Sequence, residues 1–235
     1  MKLRDFYEEV WRGKTRPDQA STKQRDWFHR HFLDHLVDPL ENPRGQVVLE
    51  LMTDPPGRLL DVGCGKGDLM NAARASGRCS TAVGVDIAES AVEIARGRGF
   101  DARVHDLNDS PLPFEDASFD CVTFMAVLEH VFDPHFAVSE VRRVLKPRGC
   151  LILAVPNAAS FSNRARLLVG RGLVTSLDPG WDGGHLHYFT MHSLTGLIRE
   201  YDFSVERITG SGGGRSWREW WPSLLLGELL LRCRK

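Results

Sequence analysis

Short apolar runs alternate with amphipathic stretches through the middle of the chain. The apolar runs predict five strands, at about 58–62, 81–85, 100–105, 119–124 and 150–155. Between them apolar residues recur at helical spacing, as Ala137, Val141 and Val144 do after the Asp133-Pro134 pair that is typical of a helix start. Apolar strands that alternate with helices predict a parallel sheet covered by helices on both faces.

The pattern changes after the fifth predicted strand. An insertion at about 156–190 interrupts the alternation, and a helix at about 191–201 and a sixth strand at 204–209 follow it. The last apolar run, 229–233, predicts either an antiparallel strand that closes the sheet or a helical tail.

The first part of the chain has a different character. Residues 1–57 are predicted to form an N-terminal helical cap on the α/β domain at 58–235. Apolar residues between Phe28 and Val37 recur at the spacing of an amphipathic helix. Prolines are then expected to interrupt the pattern, at Pro39, Pro43, Pro55 and Pro56.

Composition narrows the class of protein. The 235 residues carry a net charge of −1, which gives no general attraction for nucleic acid or an anionic membrane. Five cysteines without a Cys-x-x-Cys pair predict reduced thiols and a cytoplasmic protein. The charged N-terminus lacks the apolar core of a secretory signal, and no run reaches the roughly 18 apolar residues of a membrane span.

The strongest chemical signal is the segment LLDVGCGKG at 59–67, where a buried strand ends in Asp61 and a glycine-rich turn. Glycine permits the sharp turn and lets a ligand lie against the backbone. Asp86 ends the second predicted strand, near the offset of about 20 residues from the first motif that a nucleoside-binding βαβ unit shows, and its carboxylate can accept ribose hydroxyls. The alternative is a tight turn and a helix-capping Asp.

Weaker signals follow the third and fourth strands. Asp106 can accept the amine of adenine while Leu107 packs on the ring, although Asp106 can equally form a loop turn. His130 lies at the sheet edge where ligands bind and can act as a general base near neutral pH. Alternatively, His130 and its neighbour Glu129 cap or brace the next helix.

His185 and His187 alternate in the segment GHLHYF, so in an extended chain both side chains face one side. One of them can remove a proton from a hydroxyl nucleophile. The alternative is that both histidines brace the insertion by hydrogen bonds.

Together these motifs resemble the class I S-adenosylmethionine-dependent methyltransferases over about 58–209. LLDVGCGKG resembles the family's first motif, GVDIAES its second, and ARVHDLNDSPLPFEDASFDCV its third and fourth. LEHV followed by LKPRGCLILAVPN is similar to the ubiquinone-type O-methyltransferases. The family implies an α/β fold with a Rossmann-like, doubly wound, mostly parallel seven-stranded sheet whose last strand is antiparallel.

The resemblance also implies S-adenosylmethionine as cofactor and S-adenosylhomocysteine as product. The expected cofactor-binding residues are Asp61, Gly63, Cys64, Gly65, Asp86, Ile87, Asp106, Leu107 and Met125. The candidate catalytic residues are His130, His185 and His187. The expected reaction is methyl transfer to a hydroxyl oxygen of a sugar, lipid, quinone-like or secondary-metabolite acceptor. N-methylation of a small molecule or protein, and a non-catalytic cofactor-binding partner subunit, are the alternatives.

The sequence departs from the family at one point. Some relatives bind a divalent metal through Glu-x-x-Glu-His, whereas residues 126–130 here read AVLEH. One carboxylate is missing, so no metal is predicted. A nicotinamide-dependent dehydrogenase is disfavoured because its third glycine would fall at Asp68.

The expected partner is a small-molecule acceptor, with no nucleic acid. A monomer and a homodimer are both left open. Arginines beside apolar residues in the insertion also leave peripheral membrane contact open, although a lid over the substrate is the commoner arrangement.

Overall fold

The computed structural model describes residues 4–5, 8, 43–55, 57–175, 184–211 and 215–235. The chain forms two compact units, Met1–Asp106 and Leu107–Lys235. The amphipathic helix predicted at 28–37 lies outside the described residues. The domain boundary expected near residue 57 stays a prediction.

The first unit alternates helices and strands. Its elements are α1 (Pro43–Leu51), β1 (Gly57–Val62), α2 (Asp68–Ala75), β2 (Cys79–Asp86), α3 (Glu89–Gly97) and β3 (Asp101–Val104). The strands are parallel in the order β3-β2-β1, with Val62 beside Val85 and Asp86 beside Val104. The register therefore brings the carboxyl ends of all three strands to one edge.

Helix α1 lies within the predicted helical cap, but at a place where Pro43 was expected to interrupt the helical pattern. Pro43 is instead the first residue of the helix. Proline is tolerated there because the first N–H groups of a helix have no carbonyl partner within it. The apolar face of α1 is buried, and it includes Val47, Val48 and Leu51.

Gly84, in the middle of β2, allows a close approach between the strand and the turn that follows β1. A Cβ at this position would lie 2.6 Å from Cys64 Sγ and 2.8 Å from Met70 Cε. Both neighbours are buried in an apolar cluster of the unit. Packing, and not an unusual φ, therefore requires glycine at this site.

We expect Gly84→Ala to lower the free energy of unfolding by about 1–3 kcal/mol, the usual effect of overpacking a core. Urea unfolding followed by circular dichroism measures this change. Gly97→Ala is the matched control, because a Cβ there meets nothing within 4 Å and alanine favours the helix. Equal stability of the two variants would contradict the packing argument.

The second unit contains four strands. Its elements are β4 (Phe119–Met125), α4 (Pro134–Val144), β5 (Leu145–Pro156), α5 (Phe161–Leu168), α6 (Met191–Glu200), β6 (Ser204–Thr209), α7 (Arg215–Arg218), α8 (Pro222–Leu225) and β7 (Glu228–Arg234). Their order is β4-β5-β7-β6, and β7 is antiparallel to both neighbours. The described strands therefore confirm a mostly parallel seven-stranded α/β fold closed by an antiparallel last strand.

Two local predictions in this unit have different outcomes. The Asp133 carboxylate accepts the N–H groups of His135 and Phe136 at 2.9 and 3.1 Å, which confirms the expected start of α4. Strand β5 begins at Leu145, earlier than the predicted Cys150, because Leu145 already pairs with Phe119 before an irregularity in the register.

Among the described helices, none is long and apolar enough to cross a membrane.

Candidate cofactor and proton-transfer sites

The glycine-rich turn after β1 folds back onto the end of β2. The N–H groups of Gly63 and Cys64 both donate to the carbonyl of Val85, at 2.8 and 3.0 Å. Gly63 has a φ of 75° and Gly65 a φ of 49°, in the left-handed region that glycine adopts at little cost. The turn is therefore held against the neighbouring strand by its own backbone.

Asp86 fixes this turn from the end of β2. Its Oδ2 accepts the N–H of Gly65 at 2.8 Å and its Oδ1 accepts the N–H of Ala88 at 2.9 Å. Burial raises the pKa of Asp86 above its ordinary value, and these two hydrogen bonds act in the opposite direction. Each carboxylate oxygen has more than one acceptor position, so both can also accept a ligand hydroxyl.

The other predicted residues of the first unit lie around the same edge. Asp61 is 3% exposed and pairs in register with Gly84. Ile87 directly follows Asp86 and is half-buried. The N–H of His105 donates to the Asp86 carbonyl at 2.8 Å. Asp106 is the residue directly after His105.

Two predicted cofactor residues belong to the second unit. Leu107 is 7% exposed. Met125 ends β4, where it pairs with Ala154, and Ala126 follows with a φ of 55°. A left-handed alanine costs free energy and is most often kept where a turn must take one particular direction.

The second unit brings together three side chains from two distant segments, Glu129, His130 and His185, which we call the Glu129 cluster. The ring centroids of His130 and His185 are 4.7 Å apart. His185 Nε2 lies 4.0 Å from Glu129 Oε1, and both of these side chains are almost fully buried. The cluster is held together by the Glu129 carbonyl, which accepts the N–H groups of Leu186 and His187 at 2.8 and 3.1 Å.

His187 has a different environment from His185. Its Nε2 donates to the carbonyl of Val131 at 2.9 Å. This bond ties the segment to the loop after β4, as the bracing alternative expects. His185, in contrast, has its Nδ1 2.9 Å from Thr175 Oγ1 and its Nε2 toward Glu129.

Sequence reasoning missed two members of this arrangement. Glu129 was considered as a helix cap or brace and as part of an incomplete metal motif, but not as a neighbour of His185; the capping role belongs to Asp133. Thr175 carried no signal, because a threonine in an irregular segment has no pattern that marks it.

Comparison with known proteins defines the family. The family described as "Methyltransferase domain" matches residues 29–208. The chain belongs to this family, within the class I S-adenosylmethionine-dependent methyltransferases. Its cofactor is accordingly S-adenosylmethionine.

Individual relatives differ in how much of this methyltransferase they match. A Streptomyces fradiae protein described as an uncharacterized 37.1 kDa protein in transposon TN4556 is 40% identical over 49% of this chain and 35% of its own length. The ubiquinone biosynthesis O-methyltransferase of Xanthomonas campestris pv. campestris is 32% identical over 84% of this chain and 83% of its own. The chain spans about a third to two thirds of the length of the first relatives that it matches.

A solved structure agrees with the fold. A Thermotoga maritima protein described as an S-adenosylmethionine-dependent methyltransferase, "possible histamine N-methyltransferase", has a TM-score of 0.61 and 22% identity, and the match covers 89% of this chain and 95% of that one. At this identity the likeness supports the fold alone.

The residues of the first unit fit the cofactor that the family implies. The turn after β1 presents left-handed glycines with no Cβ, which leaves its backbone open to a ligand. Asp86, only 9% exposed, offers a carboxylate already fixed by two backbone N–H groups. A carboxylate at the end of the second strand is suited to a pair of ribose hydroxyls.

We expect Asp86→Ala to weaken binding of S-adenosylmethionine by about 10- to 100-fold, since hydrogen bonds to a charged acceptor contribute about 1.5–3 kcal/mol. Isothermal titration measures the change. Asp86→Asn keeps one acceptor oxygen and should give an intermediate loss. Asp101→Ala, which removes an exposed carboxylate of the same unit, is the matched control. Unchanged affinity in a folded Asp86→Ala protein would remove this residue from the cofactor site.

Proposed function

We propose that this methyltransferase acts on a hydroxyl oxygen of a small molecule, of the sugar, lipid, quinone-like or secondary-metabolite classes. The observation that supports an oxygen acceptor most strongly is the Glu129 cluster. A relative that matches most of the chain is described as an O-methyltransferase, which agrees with this proposal.

The chemistry of the acceptor explains why the cluster matters. S-adenosylmethionine, when bound, supplies a methyl group on a sulfonium that is a good leaving group. A neutral hydroxyl is a weak nucleophile until its proton is removed. Removal of that proton requires a base, and the imidazoles of the cluster can accept a proton. The buried Glu129 carboxylate beside them stabilises the positive charge that an imidazole then carries. An amine acceptor needs less of this assistance.

Contacts and family membership support the following roles for individual residues. We assign activation of the acceptor to the Glu129 cluster. His187 is assigned a positioning role through its bond to Val131.

We assign Asp61 and the glycine-rich turn to the methionine part of the cofactor. Asp86 is assigned to the ribose, and Asp106 with Leu107 to the adenine. Orientation of the nucleophile in line with the methyl and the sulfur is the main catalytic requirement that these residues serve.

We expect a panel of phenolic, sugar-hydroxyl and amine acceptors to give methylated product at oxygen. Incubation with deuteromethyl-labelled cofactor, followed by mass spectrometry, identifies the methylated atom.

His185→Gln should reduce kcat by about 10²- to 10⁴-fold, the usual contribution of a proton-transfer group. Affinity for S-adenosylmethionine should not change.

The control for this experiment is His135→Gln, because the His135 side chain is 55% exposed on α4 and lies outside the cluster. Methylation of amines alone would favour the N-methyltransferase alternative. Cofactor binding without turnover on any acceptor would favour a non-catalytic partner subunit.

A further inference from the structure

The Glu129 cluster has the composition of a metal site. One carboxylate and two imidazoles each present a ligand atom, and these three atoms lie within 4.8 Å of one another. Glu129 is 1% exposed, so its carboxylate lies where a charge is costly unless a positive charge compensates it.

The two rings are fixed through their Nδ1 atoms. His130 Nδ1 lies 3.3 Å from the carbonyl of Gly184, and because a carbonyl only accepts, this nitrogen is the donor. In the neutral ring Nε2 then carries the lone pair. His185 Nδ1 is 2.9 Å from Thr175 Oγ1. Histidines that bind metals are characteristically held this way, with the second ring nitrogen hydrogen-bonded to a carbonyl or another polar group.

The distance between ligand atoms is informative. The 4.0 Å from His185 Nε2 to Glu129 Oε1 is too long for a hydrogen bond between them. Two bonds of about 2.0–2.2 Å that meet at a tetrahedral angle on a shared ion place their ligand atoms about 3.3–3.6 Å apart. The two atoms therefore lie within about half an ångström of the separation that two ligands of one ion take, so a small side-chain movement would bring both onto it.

We propose that Glu129, His130 and His185 bind one divalent transition-metal ion. The prediction of no metal considered only residues 126–130, where Ala126 takes the place of an acid. The structure supplies a different third ligand, an imidazole from the segment after residue 184. Two nitrogen ligands and one oxygen ligand favour Zn²⁺ or a similar ion over Mg²⁺ and Ca²⁺, which prefer oxygen ligands.

Such an ion would have a use at this position. Three protein ligands leave coordination positions open, as in catalytic metal sites, and a divalent cation lowers the pKa of a hydroxyl that it binds. With the ion bound, the cluster would activate the acceptor through the metal and not through a free imidazole, and the proton would pass to solvent. This use rests on the proposed function, whereas the binding of the ion does not.

The test is equilibrium dialysis of tag-free, chelator-stripped protein against Zn²⁺, with Co²⁺ absorption spectra as a second readout. We expect one ion per chain, and at least a 100-fold weaker affinity in His185→Ala and Glu129→Gln. His135→Gln, which removes an exposed histidine of the same unit, should bind like the unchanged protein. Circular dichroism checks that each variant is folded.

Thr175→Val is a sharper variant, because Thr175 is not a ligand and only holds the His185 ring. We expect a 10- to 100-fold loss of Zn²⁺ affinity, the usual effect of removing a group that orients a metal ligand. The proposal would be overturned if the unchanged protein did not bind one Zn²⁺ per chain in dialysis, or if it bound Mg²⁺ more tightly than Zn²⁺. Zn²⁺ binding without O-methylation of any acceptor would keep the metal site and refute only the proposed function.

Discussion

The cofactor side of this protein depends on one buried carboxylate. Asp86 accepts hydrogen bonds from Gly65 and Ala88, so it joins the end of β2 to the turn after β1 and to the start of α3. Each bond to a charged acceptor contributes about 1.5–3 kcal/mol when shielded from water. The glycine-rich turn, which its own backbone holds against β2, is therefore also fixed by a side chain 21 positions away in the sequence.

The same carboxylate illustrates how a binding site is prepared in advance. Burial raises the pKa of Asp86, which is a cost of keeping it charged at neutral pH. The two N–H donors, and the positive end of the α3 dipole, offset part of that cost. A ribose that meets this carboxylate finds it already oriented, so binding loses less conformational entropy than it would with a mobile acid.

The elements that local patterns specify could be predicted, and contacts between distant segments could not. The run from Leu59 to Gly67 contains its strand, turn and helix start within a few residues, and the structure has all three. The Glu129 cluster depends on a contact between residues more than 50 positions apart, and nothing in the spacing of His185 and His187 indicates which of them reaches Glu129. The start of α1 was missed for another reason, because a proline that breaks a helix interior also begins one well.

The Glu129 cluster is built so that one residue supplies both its frame and its charge. The left-handed backbone of Ala126 turns the chain directly after β4, and the Glu129 carbonyl then receives the N–H groups of Leu186 and His187. These two backbone bonds place His185 beside the Glu129 carboxylate. Because these two bonds use only main-chain atoms, the carboxylate can be removed without removing them. The charge of the cluster and its architecture are therefore separable.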